Sequence, residues 1–145
     1  MPVEVVSRAR ISLSAGHRAL VAYAMVESGD IDGALSIMGP DAAEEARDYG
    51  SLASDCLRAG VYAAAGQLPQ LRESLRRITP WSGDVVTYGT VDHLGAVDFF
   101  IALGLVALGD RDRARSHAQA AVELCDRVRN VPWARRARAL LTSLR

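Results

Sequence analysis

Three glycines divide this chain into units that repeat the same order of residues. Gly29, Gly66 and Gly109 each follow a stretch of small and apolar residues and precede a second, amphipathic stretch. Residues 22–38 (AYAMVESGDIDGALSIM) and 60–78 (GVYAAAGQLPQLRESLRRI) show the pattern best. Alanine, leucine and arginine favour helix, whereas glycine interrupts it. The pattern therefore predicts helical hairpins, and strands have little support because apolar and polar residues seldom alternate.

The spacing of these breaks predicts how the hairpins are arranged. The three glycines are 37 and 43 residues apart, close to the period of tetratricopeptide and related helical repeats. One hairpin cannot bury its apolar face alone, so neighbouring hairpins stack into a continuous core. We predict one all-α domain over residues 1–145, with antiparallel helical hairpins stacked as a short tetratricopeptide-like right-handed superhelix. The hairpins span about 12–38, 42–78 and 91–128, and a final helix spans 132–144.

Residues 91–108 (VDHLGAVDFFIALGLVAL) are apolar on nearly every side of a helix. The polar residues in this stretch are Asp92, His93 and Asp98. Such a helix must be covered on most sides, which predicts that it lies at the centre of the fold. Gly95 and Gly104 weaken helix propensity. They are expected where a neighbouring helix approaches closely.

Capping and turn residues predict the helix ends that follow. Asp110 is expected to cap a helix over 111–128, and Pro132 suits the first turn of the last helix. The apolar stripe of the 111–128 helix consists of Ala114, Ala118, Ala121, Val122, Cys125 and Val128.

The first part of the chain is less clearly patterned. Residues 3–13 form either a separate helix that ends near Gly16 or the start of one helix that continues to Ser28, and we favour the break. Gly39, Pro40 and Asp41 predict a turn, with Asp41 capping a helix that begins near residue 42.

Composition excludes several kinds of chemistry and indicates a compartment. All 17 basic residues are arginine, which excludes a P-loop and lysine Schiff-base enzymes. Arginine in place of lysine, with much alanine, suggests a high-GC bacterial genome. Cys56 and Cys125 lack metal-ligand spacing and are expected to be buried. The start of the chain lacks the pattern of a signal peptide, and the apolar run 99–108 is too short to cross a bilayer. These features predict a cytoplasmic protein.

Charge is balanced in total but uneven along the chain. Residues 110–145 carry nine arginines and four acidic residues, whereas residues 1–109 carry eight and thirteen. One interpretation is that the two parts complement each other within the fold or in a dimer; the other is that an acidic partner binds the basic tail. Nucleic acid is not favoured, since no reader motif accompanies the tail arginines. They are Arg127, Arg129, Arg135, Arg136 and Arg138.

The last 60 residues contain four short motifs: Gly89-Thr90-Val91, Leu94-Gly95, Ala107-Leu108-Gly109 with Ala114, and Pro132-Trp133-Ala134-Arg135-Arg136. In these motifs this part of the chain resembles the C-terminal tetratricopeptide-like region of large actinobacterial signalling ATPases and transcriptional regulators. The first 85 residues match more loosely. Those large proteins also carry an NTPase domain and a DNA-binding or cyclase domain, which are absent here. The resemblance therefore implies a sensor or scaffold part, either free-standing or excised.

The candidate binding site centres on residues 79–90 (TPWSGDVVTYGT), which are long for a connection between helices. Aromatic residues with polar neighbours line small-molecule pockets and peptide grooves. The candidate binding residues are Trp81, Tyr88, Asp92, His93 and Trp133. Alternatively, Trp81 and Tyr88 only pin the loop onto the core.

Catalytic and metal sites have little support in the sequence. His17, His93 and His117 are far apart, Ser82-Gly83-Asp84 reads as a solvated loop, and the carboxylate pairs Asp92–Asp98 and Glu44–Asp48 do not stand out. We expect no metal, no cofactor and no catalytic residue. The favoured function is a non-catalytic interaction, scaffold or regulatory module that binds a protein or peptide, including a second copy in a homodimer. The alternative is a small-molecule sensor, or a catalyst that works by shape, built on residues 79–93. No membrane partner is expected.

Overall fold

The computed structural model describes residues 15–39, 49–89 and 92–145. These residues are mostly helical, as predicted, and they also contain a 3-10 turn and two short strands. The helices are α1 (Ala15–Glu27), α2 (Ile31–Met38), α3 (Tyr49–Ala65), α4 (Leu68–Ile78), α5 (Val97–Ala107), α6 (Arg111–Arg127) and α7 (Val131–Ser143). The 3-10 turn is Thr79–Trp81, and the strands are β1 (Val85–Tyr88) and β2 (Asp92–Ala96).

The predicted glycine breaks are confirmed, and all three are built in the same way. Gly29, Gly66 and Gly109 have φ values of +89°, +69° and +83°, which glycine adopts without the steric cost of a Cβ. At the first break, the Gly29 amide donates to the Val26 carbonyl and the Asp30 amide donates to the Met25 carbonyl. This pair of bonds is a Schellman motif, and it satisfies carbonyls that the helix end leaves unpaired.

A fourth break has the same hydrogen bonds without a glycine. Between α6 and α7, Arg129 takes the position of the glycine with φ +57°, and the Asn130 amide donates to the Cys125 carbonyl. Asn130 then caps α7 by accepting a hydrogen bond from the Trp133 amide, as Asp110 caps α6 through the Arg113 amide. The predicted cap at Asp110 is confirmed, whereas Asp41 lies outside the described residues.

The first helices of the successive hairpins pack side by side. α3 packs against both α1 and α5, and each of these three helices also packs against the helix that follows it, namely α2, α4 or α6. α7 packs against α6. The core runs through the middle of this arrangement, where Leu57, Phe100 and Leu71 are fully buried. Most residues of α5 are buried, as predicted for the apolar stretch.

The prediction that a helix begins at residue 91 is wrong. Residues 92–96 form β2, which pairs antiparallel with β1 in the register Val85↔Ala96, Thr87↔His93 and Tyr88↔Asp92. Gly95 has φ +80°, a conformation outside the right-handed helix. Backbone pairing with β1 supplies the hydrogen bonds that a helix would have made. The loop predicted at 79–90 therefore contains a 3-10 turn and a strand.

Close packing at both glycines of this stretch is confirmed. A Cβ on Gly95 would lie 2.8 Å from the indole of Trp133, and a Cβ on Gly104 would lie 2.7 Å from the Leu75 side chain. At Gly104 the neighbour belongs to α4, and at Gly95 it belongs to α7. Glycine at these two positions lets the neighbouring side chain approach the backbone.

Three further sets of predictions concern individual residues and short segments. Val128 is 47% exposed, which corrects its place in the apolar stripe, because α6 ends at Arg127. Cys56 and Cys125 are buried free thiols, as predicted. The proposed helix at 3–13, the start of the second hairpin at residue 42 and the pair Glu44–Asp48 lie outside the described residues.

None of the helices within 15–39, 49–89 and 92–145 combines the length and apolarity needed to cross a membrane.

Candidate functional site

The five residues predicted as a binding cluster fall into three places. The antiparallel strands β1 and β2 form a β-hairpin, called the hairpin below. It brings Tyr88, Asp92 and His93 to one end, because Tyr88 pairs with Asp92 and Thr87 pairs with His93. Trp81 lies in the 3-10 turn before β1 and is 46% exposed. Trp133 lies on α7 and packs over β2 at Gly95.

Contacts of the hairpin end hold it against the helices on either side. The Tyr88 ring meets the His17 ring of α1 edge-on, with 5.8 Å between centroids, and burial raises the pKa of Tyr88. The His93 carbonyl accepts a hydrogen bond from the Asn130 side chain at 3.4 Å, while the His93 side chain is exposed. The hairpin thus links α1 to the turn between α6 and α7.

Trp133 belongs to an aromatic cluster between α1, α5 and α7. Its ring centroid lies 6.5 Å from that of Tyr23, 5.4 Å from that of Phe99 and 5.7 Å from that of Phe100. Edge-to-face and offset contacts at these separations add to the stabilisation from burial. Trp133 therefore joins β2 and three helices through one side chain.

Arg136 lies at the outer edge of this cluster. Its guanidinium carbon is 4.7 Å from the centroid of the Trp133 ring, close enough for a cation–π interaction. It also forms an ion pair with Glu27 on α1, and its positive charge acts on the Tyr23 hydroxyl of the same helix. Burial, followed by the negative charge of Glu27, raises the pKa of Tyr23 to about 12. The ion pair connects the arginine-rich segment 110–145 to the more acidic segment 1–109.

An apolar groove opens between α1, α3 and α5. It has a volume of about 310 Å³ and is lined almost entirely by carbon atoms. Small residues on α3 leave room for the groove. The Tyr23 ring packs directly against the backbone at Gly60, where a Cβ would clash with it, and Ala63 and Ala64 follow along the helix. The lining residues are Tyr23, Val26, Glu27, Gly60, Ala63, Ala64, Leu103, Val106 and Ala107.

A buried carboxylate joins the segment before the hairpin to α5 and α6. Asp98 is 2% exposed. It accepts hydrogen bonds from the Ser82 hydroxyl and the Gly83 amide, both at 2.7 Å, and its Oδ1 lies 2.6 Å from Nδ1 of His117. These partners satisfy a group that would be costly to bury without them.

The order in which Ser82, Asp98 and His117 contact one another differs from the order of the side chains in a serine catalytic triad. In a catalytic triad the histidine lies between the serine and the carboxylate, whereas here both Ser82 and His117 meet Asp98. The arrangement therefore anchors the loop rather than activating the serine. The sequence did contain one signal for this network: Asp98 is an acidic residue beside Phe99 and Phe100 in an apolar stretch. Such an acid is buried on folding and then needs hydrogen-bond donors.

The groove was not predicted as a site, and Arg136 was named only among the arginines of the basic tail, for which binding of an acidic partner was one interpretation. The sequence signal for the groove was the set of small residues on the first helix of the middle hairpin, namely Ala59, Gly60, Ala63, Ala64 and Ala65. In the part of the chain that the structure describes, no three His, Cys, Asp or Glu side chains are grouped as a metal ion requires. The chain matches no known family model, no curated protein and no solved structure.

Proposed function

We propose that this chain is a non-catalytic, tetratricopeptide-like interaction module that binds an apolar peptide segment of a partner protein in the groove between α1, α3 and α5. In this proposal the first helices of the hairpins, which pack side by side, form a short right-handed superhelix. The groove lies on the face that these first helices share. The buried free thiols Cys56 and Cys125 suit a reducing compartment, so we place the protein in the cytoplasm.

The groove is the observation that carries this proposal. It crosses three successive first helices rather than lying within one hairpin, so its shape depends on the repeat packing itself. Amphipathic segments bind such grooves by inserting apolar side chains at regular spacing. The residues Val26, Leu103 and Val106 supply apolar walls, and each remains partly exposed.

The size of the groove limits what it can hold. A volume of about 310 Å³ is at the lower end of the range of about 300–1,000 Å³ for ligand pockets. It therefore suits one or two apolar side chains of a peptide, with the rest of the segment lying along the helices. We expect a partner that presents leucine- or phenylalanine-sized anchors.

Filling the groove tests the proposal. Ala64 is exposed and lines the groove, so Ala64→Trp places an indole in the space that the peptide needs. Peptides would be selected from a displayed library of short random sequences against the wild-type chain, and their affinities measured by fluorescence anisotropy. We expect Ala64→Trp to weaken binding at least about tenfold, comparable to the loss of one buried apolar anchor.

The matched control is Ala120→Trp, which adds the same side chain at an exposed position of α6. It should leave the affinity unchanged, and circular dichroism should show equal helicity for both variants. If selection yields no specific peptide, or if the peptides bind Ala64→Trp as well as wild type, the groove is not the binding site. A sizing column with light scattering would show whether a second copy competes for the same face.

A second candidate function is small-molecule binding near residues 79–93. The observation that favours it is Trp81, which is 46% exposed immediately before the Ser82–Asp98 hydrogen bond. Native mass spectrometry of protein purified from its host would report a retained ligand. Trp81→Ala and His93→Ala should then abolish the adduct while helicity is kept; loss of helicity would make these residues structural.

A further inference from the structure

We propose that the partner segment carries an aspartate or glutamate beside its apolar anchor, and that this carboxylate replaces Glu27 at Arg136. Glu27 then acts as an internal competitor, which the partner must displace from the edge of the groove. This inference rests on the proposed function, because it names the chemistry of the segment that binds in the groove.

The position of Arg136 places a cation at the edge of the groove. Its ion-pair partner on α1, Glu27, lines the groove. The Trp133 ring lies under its guanidinium and orients it. A planar guanidinium held in this way presents its remaining donors to a carboxylate in a defined direction.

The Glu27–Arg136 pair is accessible for exchange. The side chains of Arg136 and Glu27 are 41% and 42% exposed. An exposed ion pair contributes little to stability because water solvates both charges and the side chains lose entropy in pairing. A carboxylate delivered by a segment that is already anchored in the groove has a high effective concentration at Arg136, so it can compete with Glu27.

The surroundings of Arg136 also favour an acidic partner. Arg129 and Arg135 are exposed, and their side chains make no ion pair with any residue in the described ranges. They lie in the turn before α7 and in its first turns. Together with Arg136 they give three arginines within residues 129–136, a stretch with no acidic residue, and such positive charge speeds association with acidic segments and selects against basic ones.

The same library of displayed random peptides provides the test. Selection against the wild-type chain should enrich aspartate or glutamate near a large apolar residue. For a labelled peptide obtained in this way, Arg136→Gln should weaken binding about tenfold, because a charge-assisted hydrogen bond is lost. Glu27→Gln should tighten binding about two- to fivefold, because the internal competitor is removed.

The matched controls are Arg138→Gln and Asp126→Asn. Arg138 and Asp126 form another exposed ion pair, also involving α7, and neither lines the groove. These variants change the net charge in the same way and should leave the affinity unchanged. If they shift binding as much as the Arg136 and Glu27 variants do, the effect is general charge attraction and the assignment to Arg136 is wrong.

The outcomes separate this inference from the proposed function. If selected peptides lose binding to Ala64→Trp but show no acidic residues and no response to Glu27→Gln, the groove binds peptides and the exchange at Arg136 is refuted. If Ala64→Trp has no effect, the groove proposal itself fails. Tighter binding to Glu27→Gln together with weaker binding to Arg136→Gln supports both.

Discussion

Oδ1 of Asp98 lies 2.6 Å from Nδ1 of His117, so a carboxylate at the start of α5 is directly coupled to the middle of α6. Asp98 also accepts from Ser82 and Gly83. One buried side chain thus holds together two helices and the segment that leads into the hairpin. The hairpin in turn supports Trp133 at Gly95.

Removing this carboxylate should destabilise the domain. Asp98→Ala leaves the Ser82 hydroxyl, the Gly83 amide and His117 without their shared acceptor, and each of these hydrogen bonds contributes about 1 kcal/mol net. We expect the free energy of unfolding to fall by about 3 kcal/mol, measured by urea denaturation with circular dichroism. Asp112→Ala, at an exposed position in the first turn of α6, is the control and should cost much less. Equal losses for both would show that the Asp98 contacts are not stabilising.

Gly95 should tolerate no side chain. Its φ of +80° is strained for alanine, and the added Cβ would lie 2.8 Å from the Trp133 ring. We expect Gly95→Ala to cost about 2–4 kcal/mol in thermal or urea unfolding, from backbone strain together with displaced packing. Gly89→Ala is the matched control, because Gly89 has φ +67° and open space around it. It should show only the strain, about 1–2 kcal/mol.

A double substitution separates the two causes at Gly95. In a Trp133→Ala background the clash is absent, so Gly95→Ala should cost no more than Gly89→Ala does in the same background. If Gly95→Ala remains equally costly there, the close approach of Trp133 is not the reason for the glycine.

Tyr23 should make stability fall in alkaline solution. Its pKa is raised to about 12 in the folded chain, whereas an unfolded tyrosine ionises near pH 10. Between these values the unfolded state loses a proton that the folded state keeps, so the free energy of unfolding decreases as pH rises. The full loss is about 2–3 kcal/mol by pH 12.

The measurement compares urea midpoints of wild type and Tyr23→Phe at pH 8 and pH 11. Tyr23→Phe lacks the hydroxyl and its contacts at both pH values, so only the difference between them reports the ionisation. We expect a smaller alkaline loss in Tyr23→Phe. Equal losses in the two proteins would mean that Tyr23 titrates normally in the folded state.

Both cysteines should be unreactive in the folded chain. Cys56 and Cys125 are buried, and burial raises the pKa of each thiol. Because the thiolate is the reactive form, a thiol reagent such as dithionitrobenzoate should react only as the domain opens. The reaction should be slow in buffer, complete in urea, and faster in Asp98→Ala. Immediate reaction of native protein at two thiols per chain would contradict the buried positions.

Local sequence was sufficient to predict most helix ends. Gly29, Gly66 and Gly109 end helices because glycine adopts positive φ at low cost, and Asp110 caps α6 because its short side chain reaches the Arg113 amide. These interactions involve residues within a few positions of one another. The fourth break was predicted from Pro132, while the positive φ of Arg129 gave no sequence signal, since arginine seldom adopts it.

The hairpin and the Asp98 network could not be predicted in the same way. Residues 92–96 have a helix-like apolar pattern, and they become a strand because they pair with β1 and because Gly95 must admit Trp133 from 38 positions away. Ser82, Asp98 and His117 are likewise brought together only by packing. Asp98 stands out as an acid in an apolar stretch, but neither residue type nor spacing distinguishes its partners Ser82 and His117 from solvated polar residues.

The sequence by itself determined that this protein is mostly helical, where the glycine breaks fall and, Val128 apart, which residues of the apolar stripe on α6 face inward, because helix propensity, capping and periodicity act over a single turn. Only the tertiary structure decided which glycines meet an indole, which acid is buried and where a groove opens. Those features depend on side chains from several elements filling the same space, and the free energy of that packing has no counterpart in any one segment.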